Sequence, residues 1–124
     1  MTNRNQRIGK WGEEIAGRFL IEHGFEIVQK NYHTPHGEID IIARKPDLFL
    51  FVEVKTRTNL TFGYPEEAVN HQKKQHLFNT VQYYLQNNEP LDCEMRVDVL
   101  SIYGQPDSTP PEIEWFEDVI SGVE

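Results

Sequence analysis

Two charged residues follow the most apolar run of the chain at a spacing that suits a catalytic pair. Residues 48–54 are Leu, Phe, Val and a single charge, Glu53, and Lys55 comes directly after them. Such a run is typical of a buried strand, and side chains two apart leave the same face of a strand. Glu53 and Lys55 therefore share one partly desolvated face, which is costly unless another group compensates. The alternative is an ordinary Glu–Lys pair at the exposed end of a strand, and these residues alone do not decide.

Asp40 shifts this balance toward a metal site. Lys45-Pro46-Asp47 joins residues 38–43 to the apolar run, which predicts a β-hairpin with Pro setting the turn. If Pro46-Asp47 is the two-residue centre of that turn, Asp40 lies directly opposite Glu53; a three-residue turn would break this pairing. Like charges that face each other across two strands are destabilising. A divalent cation such as Mg²⁺ between the two carboxylates would reverse that sign.

Glu13 is the candidate third carboxylate. It lies in a stretch whose apolar residues recur at helical spacing. It precedes Ala16 by three residues and Leu20 by seven, so it borders the apolar face of the predicted helix. The alternative is an ordinary acid in the first helical turn, where the helix dipole favours negative charge.

The elements that must position these residues follow the order α-β-β-β-α-β. Hydrophobic periodicity and turn signals predict an α/β fold, with a mixed central β-sheet and α-helices packed against it. The acidic end, residues 112–124, is expected to add a short helix. The predicted helices are 8–22 and 66–85, and the predicted strands are 25–32, 38–43, 48–56 and 95–103.

The charge of the chain is unevenly distributed. With 124 residues it is expected to form a single domain, 1–124, with an acidic C-terminal segment over 104–124. The formal charge of −8 argues at first sight against a nucleic-acid partner. However, residues 97–124 carry seven acids and no Lys or Arg, so the first 96 residues hold thirteen acids and all twelve bases. A bound cation would neutralise several of those acids, so a locally positive groove remains compatible with the sequence.

Sequence features predict a cytoplasmic protein that does not use a membrane. The N-terminus is polar and basic with no apolar signal region, and the longest fully apolar run, 48–52, is too short to cross a bilayer. The single cysteine, Cys93, cannot form an internal disulfide. It is expected to be a small, semi-buried apolar residue rather than a nucleophile.

Several phrases of the sequence resemble the uncharacterised YraN family of bacterial proteins, over about residues 8–103. That family is in turn similar to archaeal Holliday-junction resolvases and to the wider PD-(D/E)xK nucleases of the restriction-endonuclease-like class. The phrases that carry the resemblance are Gly12-Glu13, Asn31-Tyr32, Gly37-Glu38-Ile39-Asp40-Ile41-Ile42, Phe51-Val52-Glu53-Val54-Lys55-Thr56-Arg57, Lys73 and Arg96-Val97-Asp98.

The resemblance implies a restriction-endonuclease-like fold and a site for Mg²⁺ or Mn²⁺. In that superfamily an acid on the first helix, an Asp, and a Glu-x-Lys on the next strand form the active centre. The residues that match this order are Glu13, Asp40, Glu53 and Lys55. The acids and the Val54 carbonyl then hold the cation, while Lys55 orients or deprotonates water or offsets charge on the phosphate. Asp40, Glu53 and Lys55 are the implied catalytic residues. Ile39 stands where the superfamily's name would put Pro, a departure that many members share.

Two basic residues are candidates for nucleic-acid binding. Arg57 follows the motif on the same strand face, where it either contacts a phosphate or pairs with an acid. Lys73 lies four residues before Leu77 and shares the inward side of the second helix, so it either reaches the cleft or is a solvated surface charge. Asp98, two residues from Arg96 on a strand, is instead expected to form a structural ion pair.

The leading hypothesis is a metal-dependent endonuclease that acts on structured or single-stranded DNA, like a junction resolvase. The alternative is a catalytically silent nucleic-acid-binding module that works with a partner, which the charge of −8 favours. A third hypothesis, hydrolysis of RNA or nucleotides, uses the same site. A homodimer is left open, because junction resolvases work in pairs, although no interface is visible in the sequence.

Overall fold

Five strands form one mixed sheet in the computed structural model, which describes residues 3–58, 71–88, 93–107 and 110–120. A helix packs on each face, so the α/β prediction is confirmed, and the architecture is compatible with a restriction-endonuclease-like core. The elements in chain order are α1 (Arg4–Glu22), β1 (Glu26–Thr34), β2 (Gly37–Lys45), β3 (Leu48–Arg57), α2 (His71–Gln86), β4 (Glu94–Tyr103) and β5 (Glu112–Phe116). The first part of the second predicted helix, 66–70, lies outside the described residues.

The strands lie in the sheet in the same order as in the chain. Neighbours are antiparallel except β3 and β4, which run parallel and are connected through α2. The predicted hairpin is confirmed, because Pro46-Asp47 forms the turn and the pairs run from Lys45–Leu48 to Ile41–Val52. This register is the one that a two-residue turn requires.

Alternating side chains of the strands form two separate hydrophobic cores. We call them the α1-side core and the α2-side core after the helix that covers each. Because successive strand residues point to opposite faces, a sheet covered on both sides carries long apolar runs, as β3 does. The α1-side core contains Ala16, Leu20, Phe25, Ile41, Ala43, Leu50, Val52, Leu100 and Ile102. The α2-side core contains Ile39, Ile42, Phe49, Phe51, Leu77, Val81, Tyr84, Val97 and Val99, with Cys93 packed against it as expected.

Helix α1 begins one turn earlier than predicted because its N-terminus is capped by a reciprocal pair. The Asn3 side chain accepts a hydrogen bond from the Gln6 N–H, and the Gln6 side chain accepts one from the Asn3 N–H. This capping box satisfies two amide groups that a helix start leaves open. The helix ends at Glu22, and Gly24 follows its C-cap residue His23 with a φ of 89°, the left-handed conformation expected of a glycine there. No helix in the described part of the chain is long and apolar enough to span a membrane.

The predicted C-terminal helix over 112–124 is wrong for the described residues, because Glu112–Phe116 is strand β5. Its side chains alternate between exposed Glu and partly buried Ile113 and Trp115, and it pairs antiparallel with β4. Period-two alternation places the apolar side chains on the sheet, whereas a helix would have scattered them. Residues 121–124 lie outside the described part.

Asp98 ties this acidic segment to the sheet. Its carboxylate is fully buried, and it accepts hydrogen bonds from the Arg96 guanidinium at 2.9 Å and from Trp115 Nε1 at 2.7 Å. The Asp118 N–H adds a third partner at 2.9 Å. A buried carboxylate with this many donors is satisfied, so the predicted structural ion pair with Arg96 is confirmed.

We expect Asp98→Ala to lower the free energy of unfolding by about 3–5 kcal/mol, because it leaves the half-buried Arg96 without its partner. Urea unfolding followed by circular dichroism measures this change. The matched control is Glu114→Ala, which removes an exposed acid from β5 and should alter stability by less than about 0.5 kcal/mol. An equal effect of both substitutions would contradict the structural role of Asp98.

Candidate functional site

The pairing of β2 with β3 stops immediately before Asp40. The last pair is Ile41–Val52, so Asp40 and Glu53 do not form the ladder pair predicted from the turn. Instead, the Asp40 carboxylate reaches β3 and accepts a hydrogen bond from the Val54 N–H at 2.7 Å. The predicted register of β2 and β3 is correct, but the two strands cease to pair one residue before Asp40 and Glu53. At Val54 the acceptor is the side chain of Asp40 and not a backbone carbonyl of β2.

The alternation of side chains between the two faces of the sheet is interrupted at Asp40 on β2 and at the neighbouring Asn31 on β1. Ile41 lies in the α1-side core and Ile39 in the α2-side core, although residues two apart in a regular strand share a face. On β1, Lys30 pairs with Ile41 and Tyr32 with Ile39, so Asn31 and Asp40 are the residues between these pairs. Asn31 has a φ of 53°, a left-handed conformation that Asn adopts more readily than most residues. Asn31 is therefore part of the backbone geometry that places Asp40.

Glu13 reaches the same point from helix α1. Gly12 is buried, and a Cβ at this position would overlap the Thr56 hydroxyl of β3. The absence of a side chain therefore lets the helix approach β3 closely, and the next residue, Glu13, lies within hydrogen-bonding reach of the Asp40 carboxyl when one of the two is protonated. Glu13 lies in the third turn of the helix, so its alternative interpretation as a first-turn acid is wrong.

The two carboxyl groups are electrostatically unfavourable in the absence of a cation. Burial is the main cause that raises the pKa of Asp40 to about 7. The hydrogen bond from Val54 N–H lowers this pKa, and the negative charges of Glu53, Glu13 and Glu38 raise it further. Burial also raises the pKa of Glu13, partly offset by its hydrogen bond to Asp40. Two carboxyl groups in contact must share either a proton or a cation.

Glu53 lies close to these acids but is held by two lysines. Its Oε1 atom is 2.9 Å from Lys73 Nζ and 3.4 Å from Lys55 Nζ. Its Oε2 atom is buried and has no hydrogen-bond partner among the described residues. Lys73 therefore contacts a carboxylate, and its predicted contact with a phosphate stays a prediction. An orphaned, buried carboxylate oxygen is unusual and indicates a missing partner.

An open cleft with a volume of about 700 Å³ lies over this cluster. Its lining includes Glu13, Asp40, Val54, Lys55 and Arg57 of the predicted site. Glu53 is not part of the lining. The first turns of α1 add residues that sequence reasoning missed, Arg4, Asn5, Ile8 and Gly9. The signal that would have found them is the capping pair Asn3 and Gln6, which extends the helix to this edge of the cleft.

The donor set of the cleft fits a hard divalent cation. Asp40 and Glu13 line it with carboxylate oxygens, which Mg²⁺ and Mn²⁺ prefer, whereas the orphaned oxygen of Glu53 is buried outside the lining. Within the described ranges no group of three or more His, Cys, Asp or Glu is arranged to hold a metal ion. Because Mg²⁺ is usually bound by one or two carboxylates, with water and phosphate completing its shell, the contacting pair Glu13 and Asp40 meets the requirement.

The chain is similar to a group of related bacterial proteins. A family model described as "Uncharacterised protein family UPF0102" matches residues 12–102, a span that contains Glu13, Asp40, Glu53 and Lys55. A UPF0102 protein of Dictyoglomus turgidum is 44% identical over 102 residues, covering 82% of this chain and 86% of that one. A UPF0102 protein of Syntrophotalea carbinolica is 38% identical over 116 residues, with coverages of 94% and 93%. The resemblance to the YraN family is confirmed, since UPF0102 is that family.

We expect Asp40→Asn to make the cation-free protein more stable at pH 8, by about 1–3 kcal/mol after allowing for solvent screening. Asn keeps both hydrogen bonds, accepting from Val54 N–H and donating to Glu13, but carries no charge. In the wild type the folded-state pKa of about 7 exceeds the unfolded value of about 3.9. The folded state therefore holds the extra proton, and its stability falls as pH rises between those values.

Urea unfolding in EDTA at pH 5 and pH 8 measures this effect. The advantage of Asp40→Asn should be much smaller at pH 5, and Mn²⁺ should stabilise the wild type more than the variant. Asp47→Asn, at the exposed turn of the same hairpin, is the control and should show neither effect. Lower stability of Asp40→Asn at pH 8 would show that the Asp40 charge already has a stabilising partner.

We expect Asn31→Val to lower the free energy of unfolding by about 1–3 kcal/mol, because a β-branched residue is strained at a φ of 53°. Asn31→Gly should be nearly neutral, since glycine accepts this conformation. The control is Gln29→Val, an exposed position in the extended part of the same strand. Thermal unfolding with and without Mn²⁺ measures both stability and the integrity of the Asp40 site. Equal stability of Asn31→Val and Asn31→Gly would contradict this assignment.

Proposed function

The chain belongs to the uncharacterised protein family UPF0102, and from its site we propose that it is a metal-dependent endonuclease that hydrolyses phosphodiester bonds in DNA. The observation that carries the proposal is the contacting carboxyl pair Glu13 and Asp40, which lines one cleft together with Lys55. Two acids that repel each other destabilise the fold, so their presence beside a lysine in an open groove favours a functional role. That role is the binding of a cation and a phosphate. Mg²⁺ or Mn²⁺ is the proposed cofactor.

The charge of the cleft supports an anionic substrate despite the overall charge of −8. Among its described lining residues, three are basic and two acidic: Arg4, Lys55 and Arg57 against Glu13 and Asp40. A cation on the acids would make the groove strongly positive. The excess negative charge lies in the C-terminal segment, whose β5 strand pairs with β4. A phosphodiester backbone is an anion that matches such a groove.

Each residue of the site has a distinct role in the proposed reaction. Glu13 and Asp40 would hold the cation, with Glu53 and the Val54 carbonyl as further oxygen ligands. The cation would supply positive charge that polarises the phosphate and favours ionisation of the attacking water. Lys55 would orient that water or offset the charge that develops on the phosphate as the P–O bond breaks. Arg57 and Arg4, at the rim, would bind neighbouring phosphates and fix the strand.

Lys73 would act through Glu53 in this mechanism. Its ammonium group lies 2.9 Å from Glu53 Oε1, so it balances the charge of that carboxylate and leaves Oε2 as the available oxygen. A phosphate contact by Lys73, the role expected from the sequence, stays a prediction, since Lys73 does not line the cleft. We therefore propose Lys73 as a positioning residue of the site.

We expect Lys55→Ala to reduce cleavage while retaining the fold and the binding of Mn²⁺. Removing one preorganised donor should raise the barrier by about 3 kcal/mol, roughly 150-fold in rate. The measurement is single-turnover cleavage, with Mg²⁺ or Mn²⁺, of duplex, single-stranded, flap and four-way-junction DNA. A single-stranded RNA is tested as a separate substrate. Calorimetric titration with Mn²⁺ follows metal binding separately. Lys45→Ala, at the opposite end of the same hairpin, is the matched control.

Three outcomes would change the proposal. If Lys55→Ala cuts as fast as the wild type, Lys55 is only the ion-pair partner of Glu53. If RNA is cut and DNA is not, the substrate class is wrong. If the wild type cuts no substrate with either metal, the chain is better described as a nucleic-acid-binding module that acts with a partner, the function that its charge of −8 favours.

A further inference from the structure

A second, smaller cavity adjoins the cleft and has no role in the chemistry proposed above. Its volume is about 270 Å³, and one wall is helix α1, through Arg4, Arg7, Ile8 and Trp11. The other wall is the loop after β4, residues 105–107. Arg4 and Ile8 also line the cleft, so the two cavities share an edge. We call the smaller one the Trp11 pocket.

The helical repeat of α1 places the four helix residues of the Trp11 pocket on one side of the helix. Arg4, Arg7, Ile8 and Trp11 follow one another at spacings that place them along a single stripe of α1. The capping box at Asn3 brings Arg4 and Arg7 into this stripe, because without it the helix would begin after them. Two guanidinium groups and an indole therefore meet in one small space.

The Trp11 indole is held in place by its surroundings. It is half-buried and packs against the α1-side core. Gly104, with a φ of 141°, lies so close that a Cβ there would be 3.4 Å from Trp11 Cη2 and 3.4 Å from the Pro111 backbone. Glycine at this position lets the chain pass the ring edge. A fixed aromatic ring beside basic side chains is the usual platform for an unpaired base.

We propose that the Trp11 pocket binds an unpaired nucleobase of the DNA substrate, next to the phosphate held in the cleft. Trp11 would stack on the base, and Arg7 and Arg4 would contact the phosphates on either side. The inference rests on the proposed nuclease function and narrows its substrate class to DNA with a single-stranded branch or end. A cavity just below the ~300 Å³ lower bound of ordinary ligand pockets admits one ring system and excludes a base pair.

The composition of the pocket favours a nucleotide over a simple anion. Asp107 also lines it, and its charge would weaken the binding of free phosphate. A nucleotide combines a π-face for Trp11 with a phosphate for Arg7, so it uses both kinds of side chain. The residues that line the pocket lie outside residues 12–102, the span that the family model matches.

The experiment compares binding of a 5′-flap DNA and a blunt duplex of equal length, both dye-labelled, by anisotropy in EDTA. We expect Trp11→Leu to weaken flap binding about tenfold and duplex binding less than about twofold, while Trp11→Phe restores most of the loss. Arg7→Gln should weaken flap binding and reduce its salt dependence by about one phosphate contact. Lys10→Gln removes an equal charge from an exposed position outside the pocket and is the matched control.

A base-specific readout comes from 2-aminopurine placed in the flap, whose fluorescence the wild type should quench and Trp11→Leu should not. The inference is overturned if Trp11→Leu binds the flap like the wild type, or if Arg7→Gln and Lys10→Gln behave alike. Cleavage by Trp11→Leu with unchanged flap binding would leave the nuclease proposal intact and remove only the pocket. Trp11-dependent flap binding without cleavage of any substrate would support the pocket and overturn the nuclease.

Discussion

The hydrogen bond from the Val54 N–H to the Asp40 carboxylate lies where β2 and β3 cease to pair and the cleft begins. A buried amide left without an acceptor costs about 1–3 kcal/mol, so β3 needs a replacement once β2 no longer pairs with it. Asp40 supplies that replacement at 2.7 Å with a side chain rather than a carbonyl. The fold therefore requires an acceptor at the point where the proposed metal site requires a carboxylate, and Asp40 meets both requirements.

The remaining charges of the site are arranged around that carboxylate in an order set by the two faces of the sheet. Glu13 comes from the helix on one face, while Lys73 comes from the helix on the other and contacts Glu53. Lys55 belongs to the strand between them and lines the cleft while pairing with Glu53. The repulsion among the acids is tolerable because two fully formed cores flank the sheet. Stability sacrificed at a site for function is a common pattern in enzymes.

The sequence predicted the elements whose signals are local. The apolar runs, the Pro46-Asp47 turn and the spacing of Glu53 and Lys55 were enough for the hairpin, its register and the shared strand face. Strand β5 could also have been predicted from its alternation of Glu with apolar residues, although a short helix was expected in this acidic segment. Local signals of this kind are readable because they depend only on neighbouring residues.

The features that define the site depend on contacts that the sequence does not state. The separation of β2 and β3 at Asp40 coincides with a left-handed residue, Asn31, on a different strand, which no local pattern in β2 or β3 indicates. That Glu13 would face Asp40 follows from the approach of α1 to Thr56, which Gly12 permits. Glu53 was expected in the cleft but does not line it, and its Oε1 atom contacts Lys55 and Lys73. Such tertiary effects override what residue type and spacing indicate.

The two outer strands of the sheet also limit how copies of this chain can meet. Strand β1 lies at one edge, and its register shift near Val28 together with the left-handed Asn31 spoils the flat row of amides that another strand would need. Strand β5 lies at the other edge, is five residues long, and exposes Glu112 and Glu114. β-bulges, short edge strands and charged side chains on the edge all reduce pairing of a sheet edge with another strand. Pairing of two such chains through β5 would bring Glu side chains together, and this like-charge repulsion disfavours continuation of the sheet from one molecule into the next.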